Sequence, residues 1–73
     1  MIKPKKIAED IPELAKAYKM GEDAWWRAIK RIPALDRLFS SLVIDFSKNH
    51  TLKECRPLWD AWYAGWDAEN IQL

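Results

Sequence analysis

The sequence has 73 residues, of which 49% are hydrophobic, with five tryptophans, one cysteine and a formal net charge of +1. That length suits a single domain, residues 1–73 with a loose N-terminus over residues 1–6, and the balanced charge excludes the strongly basic composition typical of nucleic-acid-binding domains. A chain this short buries only about 60% of the surface that its unfolded state exposes, so we expect part of its apolar surface to lie in a homo-oligomer or another protein interface.

The first predicted helix begins at a capping box. Asp10 and Glu13 have the spacing of an N-cap and its reciprocal partner, and Pro12 falls in the first turn, where its missing N–H costs nothing. Apolar residues follow at helical spacing as far as Gly21, which is a typical stop signal. We therefore predict a helix from Ile11 to about Met20.

A second helix is predicted from Ala24 to about Arg31, with Asp23 as its N-cap and Pro33 beyond its end. Its outward face combines one aromatic side chain with three cations, which is the most function-like surface in the sequence. The residues of this candidate partner or DNA surface are Trp26, Arg27, Lys30 and Arg31.

The third predicted helix has the strongest periodicity in the chain. Apolar residues recur every three or four positions after Pro33, which predicts the core helix of the domain. The predicted core is Leu35, Leu38, Phe39, Leu42 and Phe46, with Trp25, Trp59 and Trp62 packed around it. Ile44 lies off this stripe and is a candidate for a subunit interface.

The C-terminal region allows two interpretations. Thr51 and Glu54 form another capping box, but Pro57 follows closely, so either a single turn precedes a helix that opens at Pro57 or one helix from Leu52 is kinked there. This last helix has an aromatic arc beside an arc of small residues, which would let another backbone approach closely. The candidate self-association surface is Ile44, Ala61, Tyr63, Ala64, Gly65, Trp66 and Ala68. The whole pattern predicts an all-α fold, a compact bundle of three to four short helices.

No combination of residues indicates an enzyme. His50 is the only histidine and lies in a polar loop, and Cys55 has no third group to orient it as a nucleophile. We therefore expect a non-catalytic protein with no cofactor, no metal and no small-molecule substrate. The lone cysteine, with no signal-peptide-like stretch and no membrane-spanning apolar run, predicts a cytoplasmic protein without membrane contact.

Residues 14–31 resemble a helix-turn-helix motif, with Leu14 and Ala15 in the first helix and Trp25 and Ile29 anchoring the second. The family usually has glycine at the turn position that Lys19 holds here. The resemblance implies DNA binding. In that case Arg27 would read bases, Lys30 and Arg31 would contact phosphates, and the remaining residues facing the groove would be Glu22 and Trp26.

A small, tryptophan-rich helical sequence of this kind also resembles the accessory proteins encoded in the early regions of lambda-like bacteriophages. That resemblance implies regulation of a host or phage macromolecule. From the sequence we expect a small regulatory or accessory protein that binds a macromolecular partner and self-associates, with helix-turn-helix DNA binding as the alternative.

Overall fold

The computed structural model describes residues 11–71, and these contain three α-helices and one short 3-10 helix but no strand. Helix α1 spans Pro12–Trp26, the 3-10 helix Pro33–Leu35, α2 Arg37–Ser47 and α3 Leu52–Ile71. The predicted all-α fold is confirmed. The predicted N-cap Asp10 and the N-terminal residues 1–6 lie outside the described residues.

Helix α1 does not stop at Gly21 but continues for another turn and a half to Trp26. The predicted second helix over residues 24–31 is therefore wrong, and so is the predicted helix-turn-helix, because residues 12–26 form one helix. Gly21 has no positive φ angle of the kind a helix stop would need. It is buried in contact with α3 instead.

The end of α1 is a Schellman motif with an alanine in the left-handed position. Ala28 has a φ of 63°, its N–H donates to the carbonyl of Trp25 at 3.1 Å, and the N–H of Ile29 donates to the carbonyl of Ala24 at 2.9 Å. Glycine normally fills this position because a Cβ is strained there. Because that glycine is absent, no stop signal after Trp26 is visible in the sequence.

Helices α1 and α3 run in the same direction and touch backbone to backbone where Gly21 meets Gly65. A Cβ on Gly21 would overlap the carbonyl oxygen of Trp62, and a Cβ on Gly65 would overlap that of Tyr18. It would also lie 2.8 Å and 2.9 Å, respectively, from the carbonyl carbons of those residues. Only glycine permits this separation. The predicted close approach to the small-residue arc of the last helix thus occurs within one chain.

The predicted capping box at the start of α3 is confirmed. Glu54 Oε1 accepts a hydrogen bond from the Thr51 N–H at 2.8 Å, and Thr51 Oγ1 accepts one from the Glu54 N–H at 3.2 Å. Pro57 lies inside this helix, which is continuous from Leu52 to Ile71. The last helix therefore begins at Leu52, as the second interpretation has it, and not at Pro57.

Helix α2 contributes less to the core than its periodicity predicts. Phe39 is buried and its ring lies 6.0 Å from both Trp59 and Trp62, but Leu35 is 54% exposed and Leu38 is 60% exposed. The prediction that these two leucines lie at the centre is wrong, because the helix begins at Arg37 and only a narrow side of it faces the other helices. The buried core is Leu14, Ala17, Ala24, Phe39, Cys55, Leu58 and Trp62.

We predict that Gly65→Ala and Gly21→Ala each lower the free energy of unfolding by about 2 kcal/mol or more, although alanine favours an ordinary helix interior by about 1 kcal/mol. The added methyl group would force α1 and α3 apart along their whole contact. Urea denaturation followed by circular dichroism measures this change. If either alanine variant were more stable than the native protein, the close contact between α1 and α3 would be contradicted.

Two reverse substitutions serve as controls for this prediction. Ala64→Gly, at an exposed position beside Gly65, should cost about 1 kcal/mol through helix propensity alone. Ala28→Gly should stabilise the protein by about 1 kcal/mol because it relieves the left-handed alanine. Together these controls separate two effects on the free energy of unfolding: the contact between the helices and the intrinsic backbone preference of each residue.

Candidate functional site

The segment that follows α1 is held against α3 by ion pairing. Arg31 donates two hydrogen bonds of 2.7 Å to the two carboxylate oxygens of Asp67, and its guanidinium lies 4.4 Å from the centre of the Tyr63 ring. The hydrogen bond from Arg31 lowers the pKa of Asp67, and the same bond raises the pKa of Arg31. This exposed pair ties residue 31 to α3.

Asp36 is the centre of a buried polar network that the sequence did not reveal. It is fully buried. Its Oδ2 accepts the indole N–H of Trp62 at 2.9 Å, and its Oδ1 accepts from Arg27 at 3.2 Å and from the backbone N–H groups of Leu38 and Phe39. An aspartate directly before an apolar helical run is an N-cap signal. Periodicity alone could not show that the same carboxylate would bind Trp62.

Tryptophan indoles add further links between α3 and the segment after Asp23. Trp66 donates to the carbonyl oxygen of Ile29 at 2.8 Å, Trp25 donates to Asn70 Oδ1 at 3.1 Å, and Trp26 donates to Glu69 Oε1 at 2.8 Å. A buried or half-buried indole requires such a partner. Trp66 therefore holds the segment between α1 and α2 against α3, while Trp25 and Trp26 link the last turn of α1 to α3.

The four residues of the predicted partner or DNA surface make different contacts in the structure. Arg27 binds Asp36 and Arg31 binds Asp67, so both guanidinium charges are compensated within the chain. Lys30 is exposed. Trp26 is 68% exposed even though its indole N–H contacts Glu69. Trp26 is thus the member of this set with the most apolar surface available to a partner.

The predicted self-association surface is largely used inside the molecule. Gly65 is buried against α1, Trp66 bonds to Ile29 and Tyr63 lies beneath Arg31. Ala61 and Ala68 are half-buried. Ile44, at 63% exposure, and the exposed Ala64 remain accessible, but they lie on different helices.

A shallow apolar groove lies between α1 and α2, and we call it the α1–α2 groove. It consists of two depressions that share Met20. The first is lined by Met20, Asp23, Trp26, Arg27 and Leu38. The second is lined by Lys16, Met20, Ser41, Leu42, Ile44, Asp45 and Lys48. The sequence singled out Trp26, Arg27 and Ile44 of this lining as surface candidates, but its periodicity assigned Leu38 to the core and so did not indicate a groove.

The polar side chains that suggest chemistry do not cluster. No group of three or more metal-ligating side chains occurs among residues 11–71. Cys55 is buried, and the ring of His50 stacks 3.7 Å from that of Phe46 while its Nδ1 lies 2.9 Å from the carbonyl oxygen of Phe46. Cys55 therefore packs in the core, and His50 packs against Phe46 of α2.

Comparison of the chain with protein-family models, with curated proteins and with solved structures finds no match. The resemblance to phage accessory proteins therefore stays a prediction.

We predict that Asp36→Ala lowers the free energy of unfolding by about 3 kcal/mol or more, because it leaves the Trp62 indole and the Arg27 guanidinium without their acceptor. Thermal denaturation at pH 7 measures the loss. Asp45→Ala is the matched control: its carboxylate is 81% exposed beside Lys48, and such a substitution changes stability by no more than about 0.5 kcal/mol. Equal losses in the two variants would show that the buried network adds nothing.

We predict a pH-dependent contribution from the pair of Arg31 with Asp67. The pKa of Asp67 is lowered from its ordinary value of 3.8 in the folded protein, so the pair stabilises fully above that value and less as the pH falls through the lowered pKa. The stability difference between the native protein and Asp67→Asn should therefore shrink between pH 5 and pH 2. Asp60→Asn, at an exposed position on the same helix, is the control. If the stability difference between the native protein and Asp67→Asn did not change with pH, the predicted contribution of the ion pair would be refuted.

Proposed function

We propose that this protein is a small, non-catalytic regulatory or accessory protein that acts by binding another protein through the α1–α2 groove, and that it self-associates. The observation that carries the proposal is the pair of large apolar side chains in the first depression, Trp26 at 68% and Leu38 at 60% exposure, beside the half-buried Met20. Aromatic and aliphatic anchors of this kind, clustered in a depression, dominate the energetics of protein interfaces.

The lining of the groove favours binding over catalysis. Its apolar lining includes the thioether of Met20, the indole of Trp26 and the aliphatic side chains of Leu38 and Leu42. These groups bind a partner by shape and by loss of water rather than by transfer of protons or electrons. Charged side chains also line both depressions, and protein interfaces combine apolar and charged groups in this way.

DNA binding is the weaker alternative. The motif that suggested it is absent, since α1 is continuous from Pro12 to Trp26, and the charges of Arg27 and Arg31 are already engaged by Asp36 and Asp67. Binding to phosphates would require those cations to exchange their carboxylate partners. A balanced net charge of +1 adds little attraction.

The cytoplasmic compartment belongs to the same proposal. Across residues 11–71, no helix combines the length and the apolarity needed to cross a membrane. The single thiol, Cys55, is buried in the core. A small domain stabilised by packing rather than by disulfides is typical of a reducing compartment.

The test is photocrosslinking in the cells that make the protein. A photoreactive amino acid replaces residue 38 or, in the control, residue 56. Leu38 lines the groove, whereas Arg56 is exposed on α3 and lines neither depression. We expect discrete protein adducts from position 38 and none from position 56. Adding Trp26→Ala should reduce the yield about fivefold or more, since truncating an interface anchor typically costs 1 kcal/mol or more.

Two results would overturn the proposal. Equal yields of protein adducts from positions 38 and 56 would mean that the groove has no preferred partner. Adducts to nucleic acid that disappear as the salt concentration rises would favour DNA binding instead.

A further inference from the structure

Within residues 11–71, sulfur occurs in two side chains that differ in their exposure to solvent. Cys55 is fully buried in the core. Met20 is half-buried and lines both depressions of the α1–α2 groove. An oxidant dissolved in water therefore reaches the thioether of Met20 in the groove, whereas the thiol of Cys55 is shielded by the fold.

Met20 has a position in the groove that no other lining residue shares, because it alone belongs to both depressions. It shares the first depression with Trp26 and Leu38, and the second with Leu42 and Ile44. The methionine thioether is apolar and flexible, so it suits an apolar contact surface. A chemical change at this one sulfur therefore alters both depressions at once.

From this arrangement we propose that Met20 is an oxidation site through which a peroxide controls partner binding at the groove. The sulfur lone pair attacks one oxygen of hydrogen peroxide, so that a sulfur–oxygen bond forms, the O–O bond breaks and water leaves. Methionine thereby becomes methionine sulfoxide, and the peroxide is reduced. Two thiols reverse the step through a methionine sulfoxide reductase: the sulfoxide returns to the thioether, and the thiols become a disulfide with release of water.

The sulfoxide weakens binding because its oxygen is hydrated in the empty groove. A partner that covers Met20 must remove that water, and a polar group buried without a replacement hydrogen bond opposes association. The fold itself tolerates the change, since Met20 is only half-buried and the added oxygen can extend into the open groove. Oxidation therefore acts on partner binding rather than on the folded state.

This inference rests on the proposed function, because it describes how binding at the same groove is regulated. Its first test is chemical. The purified protein is treated with hydrogen peroxide, and peptide mapping by mass spectrometry measures the added oxygen at each sulfur. We expect one oxygen on Met20, while Cys55 stays reduced and the circular dichroism spectrum stays native. Met1 lies outside the described residues, and the same mapping scores it separately.

The second test repeats the photocrosslinking from position 38 after a pulse of hydrogen peroxide. The yield of protein adducts should fall about fivefold or more, which is the loss expected when an interface anchor is impaired. Met20→Leu is the matched control, because leucine preserves the apolar volume and carries no sulfur. Its adducts should form in the normal yield and survive the peroxide. Since damage to the partner would lower the yield with both proteins, the difference between them reports on Met20.

A third variant, Met20→Gln, tests the polarity of the side chain without any oxidant. The amide is polar like the sulfoxide, so this variant should give the same reduced yield of adducts before any treatment. Its circular dichroism spectrum should match that of the native protein.

The inference and the proposed function can fail separately. Adducts from position 38 that persist after Met20 is fully oxidised would overturn the inference and leave the proposed function standing. Equal losses for the native protein and Met20→Leu would do the same, and so would oxidation of Cys55 before Met20. A native protein that forms no adducts from position 38 before any treatment would remove both proposals.

Discussion

The contact on which the rest of the structure depends is the backbone crossing of α1 and α3 at Gly21 and Gly65. Each glycine faces a carbonyl of the opposite helix so closely that a methyl group would overlap it. Helices that approach this closely gain dispersion contacts along their length and bring their Cα–H groups to the facing carbonyls. Ala17 and Ala24, both fully buried, extend the same small-residue face of α1. Because α1 and α3 share so much of their surface, α2 is left at the edge.

The position of α2 follows from a polar anchor rather than from its apolar stripe. Asp36 caps the helix and at the same time accepts the indole N–H of Trp62 from α3. A buried carboxylate is tolerated only when its hydrogen bonds are made, and here Arg27 and the first N–H groups of α2 complete them. The beginning of α2 is therefore fixed to the core, while its outer side, including Leu38, faces the solvent.

These two constraints together create the groove. The cations that looked available in the sequence, Arg27 and Arg31, hold the connecting segment against buried and exposed carboxylates. The apolar residues that looked internal, above all Leu38, are left outside. The surface that we propose for a partner is therefore lined by both apolar and charged side chains, a mixture that suits a protein interface.

Local signals determined part of this architecture from the sequence alone. Apolar spacing established an all-α fold, and the Thr51 and Glu54 capping box marked the start of α3, because a cap involves residues only three positions apart. The arc of small residues around Gly65 indicated that another backbone would come close. Ile44 was also rightly placed off the core stripe, since it is 63% exposed.

Only the tertiary structure decided the remainder. Gly21 ends a helix in most contexts, but here it permits a contact with a segment about forty residues further along the chain, and no local pattern distinguishes the two uses. The partners of Asp36, Arg27 and Arg31 are likewise set by which helices meet. The sequence singled out Trp26, Arg27 and Ile44, which line the groove, but not the groove itself. A groove belongs to the space between α1 and α2, and the exposure of Leu38 depends on how much of α2 the other helices cover.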